Sequence, residues 1–133
     1  MKKVLIVDTD MDFLYTLEYL LKKNGYVPII STDYEKVFET IHEERPEVII
    51  LDPLKGPFRS KKFCQRLKAD PVLKNTSIIV FSNSTNIDNV LNTYHAKSCI
   101  VKPFKGRELL NILDDCNQHS QTNHRNIFPN EDL

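Results

Sequence analysis

Val48-Ile49-Ile50-Leu51-Asp52 is the stretch on which the reading of this chain turns. Four β-branched or aliphatic residues run without interruption into a carboxylate. A short apolar run of this kind reads as a strand buried on both faces, as in a parallel sheet. Three other runs end the same way, on a residue able to handle phosphate. Val4-Leu5-Ile6-Val7 leads into Asp8, Ile78-Ile79-Val80-Phe81 into Ser82, and Ile100-Val101 into Lys102-Pro103. In open α/β sheets, sites form beyond the carboxyl ends of the strands. Two carboxylates, a hydroxyl and an ammonium are therefore expected at one edge of the sheet. Two carboxylates can hold a divalent cation, and a hydroxyl and an ammonium can hold phosphoryl oxygens.

Helical patterns separate these runs. Phe13, Leu14, Leu17, Leu20 and Leu21 mark a first helix, which Asn24-Gly25 stops. Residues 27–30 give a further strand. Val37, Phe38 and Ile41 line a second helix closed before Pro46. A loop with Pro53, Gly56 and Pro57 leads to a third, carrying Phe63, Cys64 and Leu67. A polar loop from Ser82 to Asn86 precedes a fourth with Ile87, Val90, Leu91 and Tyr94. The last shows Leu109, Leu110, Leu113 and Cys116. Alternation of this kind predicts an α/β fold, a doubly wound five-stranded parallel sheet with helices on both faces. Right-handed crossovers leave few topologies. The flavodoxin-like (βα)5 arrangement with strand order 2-1-3-4-5 suits five units. Its switch point lies between strands one and three, which carry Asp8 and Asp52. Residues 1–117 are read as one domain and residues 118–133 as a mobile polar tail.

Composition narrows the function. The chain has 133 residues and a formal net charge of zero, so bulk electrostatics favour neither nucleic acid nor an anionic membrane. No apolar stretch approaches the roughly 20 residues of a membrane span. The apolar run after Met1-Lys2-Lys3 stops at Asp8, too soon for a signal-peptide core. Cys64, Cys99 and Cys116 are odd in number and widely spaced, fitting neither a disulfide framework nor a zinc site. A cytoplasmic location with reduced thiols is the expectation. His42, His95, His119 and His124 are scattered and read as surface residues.

With these four strand ends in order, the chain resembles the receiver domains of bacterial two-component response regulators over about residues 3–117. The matching elements are Asp8 after strand one, Asp52 at the end of strand three, Ser82 at the end of strand four and Lys102-Pro103-Phe104 after strand five. The resemblance implies that Asp52 accepts a phosphoryl group from the phosphohistidine of a sensor histidine kinase or phosphotransfer protein. It implies a magnesium ion held by Asp8, Asp52 and the Leu54 backbone carbonyl. It further implies a cis Lys102-Pro103 bond that aims the ammonium inward. Lys102 would neutralise phosphoryl charge, and Ser82 would donate a hydrogen bond to the new phosphoryl oxygen. These residue types suit the chemistry. A carboxylate is a weak nucleophile that needs a positioned donor and neutralised charge. Magnesium takes hard oxygen ligands, commonly one or two carboxylates with phosphate.

Three features depart from the pattern. Asp8-Thr9-Asp10 puts Thr9 where the family usually has a second adjacent acid, which predicts weak magnesium binding. Asp10 reads first as the cap of the first helix and second as a ligand acting through water. Cys99 stands where receivers often carry an aromatic switch ring; its plainest reading is a small buried hydrophobe. The loop Pro53-Leu54-Lys55-Gly56-Pro57 lacks the usual Met-Pro pair.

The leading reading is a single-domain receiver, not an enzyme, that signals by docking to a downstream protein. The docking face would be the fourth and fifth helices with strand five, with no nucleic acid or membrane partner. A non-phosphorylated pseudo-receiver acting as a docking module is the variant that Thr9 and Cys99 favour. The other class is a haloacid dehalogenase-type phosphatase using Asp8 and Asp10. It leaves Asp52 without a role and places its later acids, Asp114-Asp115, inside an amphipathic helix.

Overall fold

The computed structural model describes residues 2–52, 61–82, 98–101 and 105–118. Five strands, β1 (Lys3–Val7), β2 (Val27–Ser31), β3 (Val48–Leu51), β4 (Ser77–Ser82) and β5 (Ser98–Val101), form one parallel sheet in the order β2-β1-β3-β4-β5. The expected doubly wound topology is therefore present. Four helices accompany it among the described residues: α1 (Met11–Lys23), α2 (Val37–Glu44), α3 (Lys61–Ala69) and α4 (Gly106–Gln118). The helix expected around residues 87–94, the Lys102-Pro103 bond, Leu54 and residues 119–133 of the expected 118–133 tail lie outside the described residues, and Gln118 ends α4.

Strand pleating explains why the central runs are apolar throughout. Successive side chains point to opposite faces, so a strand covered on both sides must be hydrophobic at every position. Leu5, Val7, Ile49, Leu51, Ile78 and Val80 join Val37, Phe38, Ile41 and Leu67 of α2 and α3 in one core cluster. Val4, Ile6, Val48, Ile50, Ile79 and Phe81 join Leu14, Leu17 and Leu21 of α1 and Leu109, Leu110 and Leu113 of α4 in the other. Each fully buried aliphatic side chain contributes about 1.5–3 kcal/mol relative to exposure. Edge strand β2 is half-buried along its length.

Helix limits follow local chemistry. Asp10 caps α1, its carboxylate accepting from the Phe13 N–H at 3.2 Å. Asn24 closes that helix, and Gly25 takes the left-handed conformation at φ 87° that glycine adopts without a steric penalty. Arg45 ends α2 in the same region at φ 47°, donating from its N–H to Ile41 O, and Pro46 prevents continuation. Two 3₁₀ turns, Tyr34–Lys36 and Pro71–Leu73, were not anticipated. Each follows an aspartate, Asp33 or Asp70, whose side chain accepts from the N–H two residues on. No helix among the described residues is long and apolar enough to cross a membrane.

Candidate functional site

β1 and β3 are adjacent, parallel and in register, with Val7 opposite Leu51. The next residue on each strand is an aspartate, so Asp8 and Asp52 stand side by side at the carboxyl edge, about one strand spacing apart (~4.8 Å). Both are buried, Asp8 at 1% exposure and Asp52 at 7%. Val4 and Ile6 on β1 and Val48 and Ile50 on β3 face α1 and α4. One further step of that alternation assigns Asp8 and Asp52 to the same face.

The backbone holds Asp8. Its Oδ1 accepts the N–H groups of Thr9 at 2.7 Å and Asp10 at 3.0 Å. Its own N–H donates to Ser31 O at 3.2 Å, and Oδ2 is buried. Bonds from two backbone donors fix the direction of the carboxylate. Thr9 itself is exposed and contributes its amide. Asp10 is engaged as the α1 cap, the reading placed first for it.

Ser82 ends β4 opposite Val101, so β4 and β5 reach the same edge as Asp8 and Asp52. Lys102 is the next residue after Val101 and, like Leu54, lies outside the described residues. The structure thus brings Asp8, Asp52 and the backbone of Ser82 to one edge. Two adjacent buried carboxylates are a hard-oxygen donor set and fit a magnesium ion. They form a pair: among the described residues no group of three or more His, Cys, Asp or Glu is placed to hold a metal. The remaining ligands would be backbone oxygens and water.

Reading the sequence missed the aromatic pair beside the site. Leu51 lies opposite Val80, so Phe81 is level with Asp52, and its ring meets Phe13 of α1 edge-on, with centroids 5.3 Å apart. The only sequence signal was position: Phe13 lies in the first turn of a helix that starts at the site, and Phe81 immediately precedes Ser82. Away from the site, His42 is exposed, as expected, but is also paired: its Nε2 lies 2.7 Å from Asp70 Oδ2. Burial pushes the Asp70 carboxyl up. Hydrogen bonds from His42 and the Val72 N–H, with the charges of His42 and Arg66, outweigh that and hold it below its ordinary value of 3.8. Tyr26 donates from its hydroxyl to Asp114 Oδ1 at 2.7 Å, tying the start of β2 to the last turns of α4.

A doubly wound sheet with paired acids at its switch point and a hydroxyl residue ending the next strand defines a class. The chain belongs to the response regulator receiver domain family, which it matches over residues 4–114. Among proteins similar to it is the alkaline phosphatase synthesis transcriptional regulatory protein PhoP of Bacillus subtilis. That protein is 27% identical over 109 residues, covering 81% of this chain and 45% of PhoP. The chain thus spans less than half the length of that relative. A receiver-modulated diguanylate cyclase from Pelobacter carbinolicus is 27% identical, with a TM-score of 0.72 over 90% of this chain and 95% of the other. The fold is also that of the chemotaxis protein CheY4 of Vibrio cholerae, at 24% identity and a TM-score of 0.75, covering 86% of this chain and 97% of the other. Receiver domains of two-component systems are signalling domains that generally bind magnesium at their phosphorylation site and interact with histidine kinases or phosphotransfer proteins.

Proposed function

We propose that this receiver accepts a phosphoryl group on Asp52 from a phosphohistidine and signals by docking to a partner protein. The observation that carries the reading is the buried, in-register pair of Asp8 and Asp52 at the carboxyl edge, with Asp8 held by two backbone amides. An Asp52 carboxylate oxygen attacks phosphorus. The new P–O bond forms as the P–N bond of the donor breaks, and the imidazole leaves with the bonding electron pair. Asp8, Asp52 and the Leu54 carbonyl would hold magnesium, which supplies positive charge against the phosphoryl oxygens when bound. Lys102 neutralises charge on the transferred group, and Ser82 donates from its hydroxyl to a phosphoryl oxygen. Thr9 in place of an acid makes magnesium binding weak. The docking face would be the fourth and fifth helices of the fold with β5.

The phosphatase alternative has less support. Asp10, its general acid, is occupied in capping α1, and Asp114 and Asp115 sit within α4. The pseudo-receiver reading draws on Thr9 and Cys99. The deciding experiment is incubation with magnesium and a small phosphodonor such as acetyl phosphate, followed by intact-mass measurement. Wild type should gain one phosphoryl group and Asp52→Asn none. An adduct on the variant would overturn the assignment of Asp52. No adduct on wild type would favour the pseudo-receiver.

A further inference from the structure

Phe81 and Phe13 form a bridge between the site and α1. Phe81 is fully buried, stands level with Asp52 on the neighbouring strand and immediately precedes Ser82. Its ring meets that of Phe13 at a centroid distance of 5.3 Å and an interplanar angle of 75°, an edge-to-face contact. Phe13 lies in the first turn of α1, and its own N–H is the one that Asp10 caps. Further along, α1 is set by other contacts. Leu14, Leu17 and Leu21 are buried, and Leu20 packs so closely on Gly106 that a Cβ there would stand 3.2 Å from Leu20 Cδ2. The body of the helix is therefore fixed by the core and by α4, and its first turn by the cap and the ring pair.

We propose that the Phe13–Phe81 pair couples the state of Asp52 to the position of the first turn of α1. The coupling rests on Asp52 accepting a phosphoryl group. That group adds bulk and charge beside Phe81 and draws on Ser82, the next residue in β4. A buried ring in a close-packed interior does not move alone, so a shift of Phe81 is passed to the ring it abuts. The receiving turn leads into an outer face carrying exposed Met11 and Tyr15, at 38% and 55% exposure. A change at Asp52 thereby alters the surface α1 presents. At the aromatic switch position of strand five this chain has Cys99, which carries no ring; the aromatic route runs from β4 toward α1 instead.

The test compares amide NMR spectra of the full chain in magnesium alone and in magnesium with beryllofluoride, a phosphoryl mimic. The comparison removes effects that reach α1 through metal binding at Asp8. In wild type the mimic should shift Asp52, Ser82, Met11, Phe13 and Leu14. In Phe81→Leu the α1 shifts should fall about twofold or more while those of Asp52 and Ser82 persist. Phe13→Leu, at a partly exposed position, should give the same loss with less disturbance of the core. Undiminished α1 shifts in both variants would overturn the coupling, as would a wild type in which Asp52 responds and α1 does not. Silence at Asp52 itself would overturn the phosphoacceptor reading and the coupling with it.

Discussion

The two ends of the sheet treat charge in opposite ways. At the amino end, unlike groups meet. The Lys3 N–H donates to Glu47 Oε1 at 2.8 Å, and Lys3 Nζ reaches Glu44 O at 3.2 Å and Glu44 Oε1 at 3.4 Å. The Glu47 N–H donates back to Lys3 O, and the Ser77 N–H donates to Glu47 O. His42 and Asp70 repeat the pattern where α3 returns to β4. At the carboxyl end, like groups meet: Asp8 and Asp52 are neighbours and both are buried. One end ties strand starts together. The other keeps two carboxylates close, a hard-oxygen donor set suited to a divalent cation.

The strongest way to sharpen this contrast is to add a third acid. Thr9→Asp should tighten magnesium binding about tenfold in an NMR titration, because ligand charge sets affinity for hard cations. Equal affinity in both proteins would mean that Asp10 or water already compensates. Asp52→Asn removes one of the two carboxylates. In the same NMR titration it should weaken magnesium binding about tenfold. Undiminished binding would show that Asp52 is not a ligand. At the other end, Glu47→Ala should lower stability by about 0.5 kcal/mol, since it removes an exposed hydrogen bond.

The smallest effect is the pH dependence of the His42–Asp70 pair. Asp70 has a folded value lowered from 3.8, so its contribution is fully present above 3.8 and is lost as pH falls through the lowered value. Asp70→Asn should therefore be less stable than wild type near neutral pH by about 0.3 kcal/mol. The difference should shrink in acid unfolding profiles taken below pH 3.8. A difference that grows on acidification would contradict the pairing.

The sequence carried the sheet because Val4 to Val7 of β1 and every position of β3 are buried, leaving runs that no exposed helix could bear. It also carried the inner faces of the helices. Leu14, Leu17, Leu21, Val37, Phe38, Ile41, Leu109, Leu110 and Leu113 are buried where helical spacing put them. Asp8 and Asp52 were legible as paired strand ends because parallel register follows from topology. The 3₁₀ turns were less visible, although Asp70-Pro71 is a turn-starting pair. They depend on aspartates bonding two residues ahead rather than on hydrophobic period. The Phe13–Phe81 contact and the His42–Asp70 pair were not legible at all. Each joins residues from separate elements, and only the assembled register says which side chains meet.

Asp8 is anchored by main-chain amides, and this frees the neighbouring side chain. Any residue except proline at position 9 supplies the same N–H, so the anchor survives replacement of the side chain. Thr9 points to solvent and carries none of the core. The side chain at position 9 can therefore be exchanged, as in Thr9→Asp, without disturbing the scaffold that aims the Asp8 carboxylate.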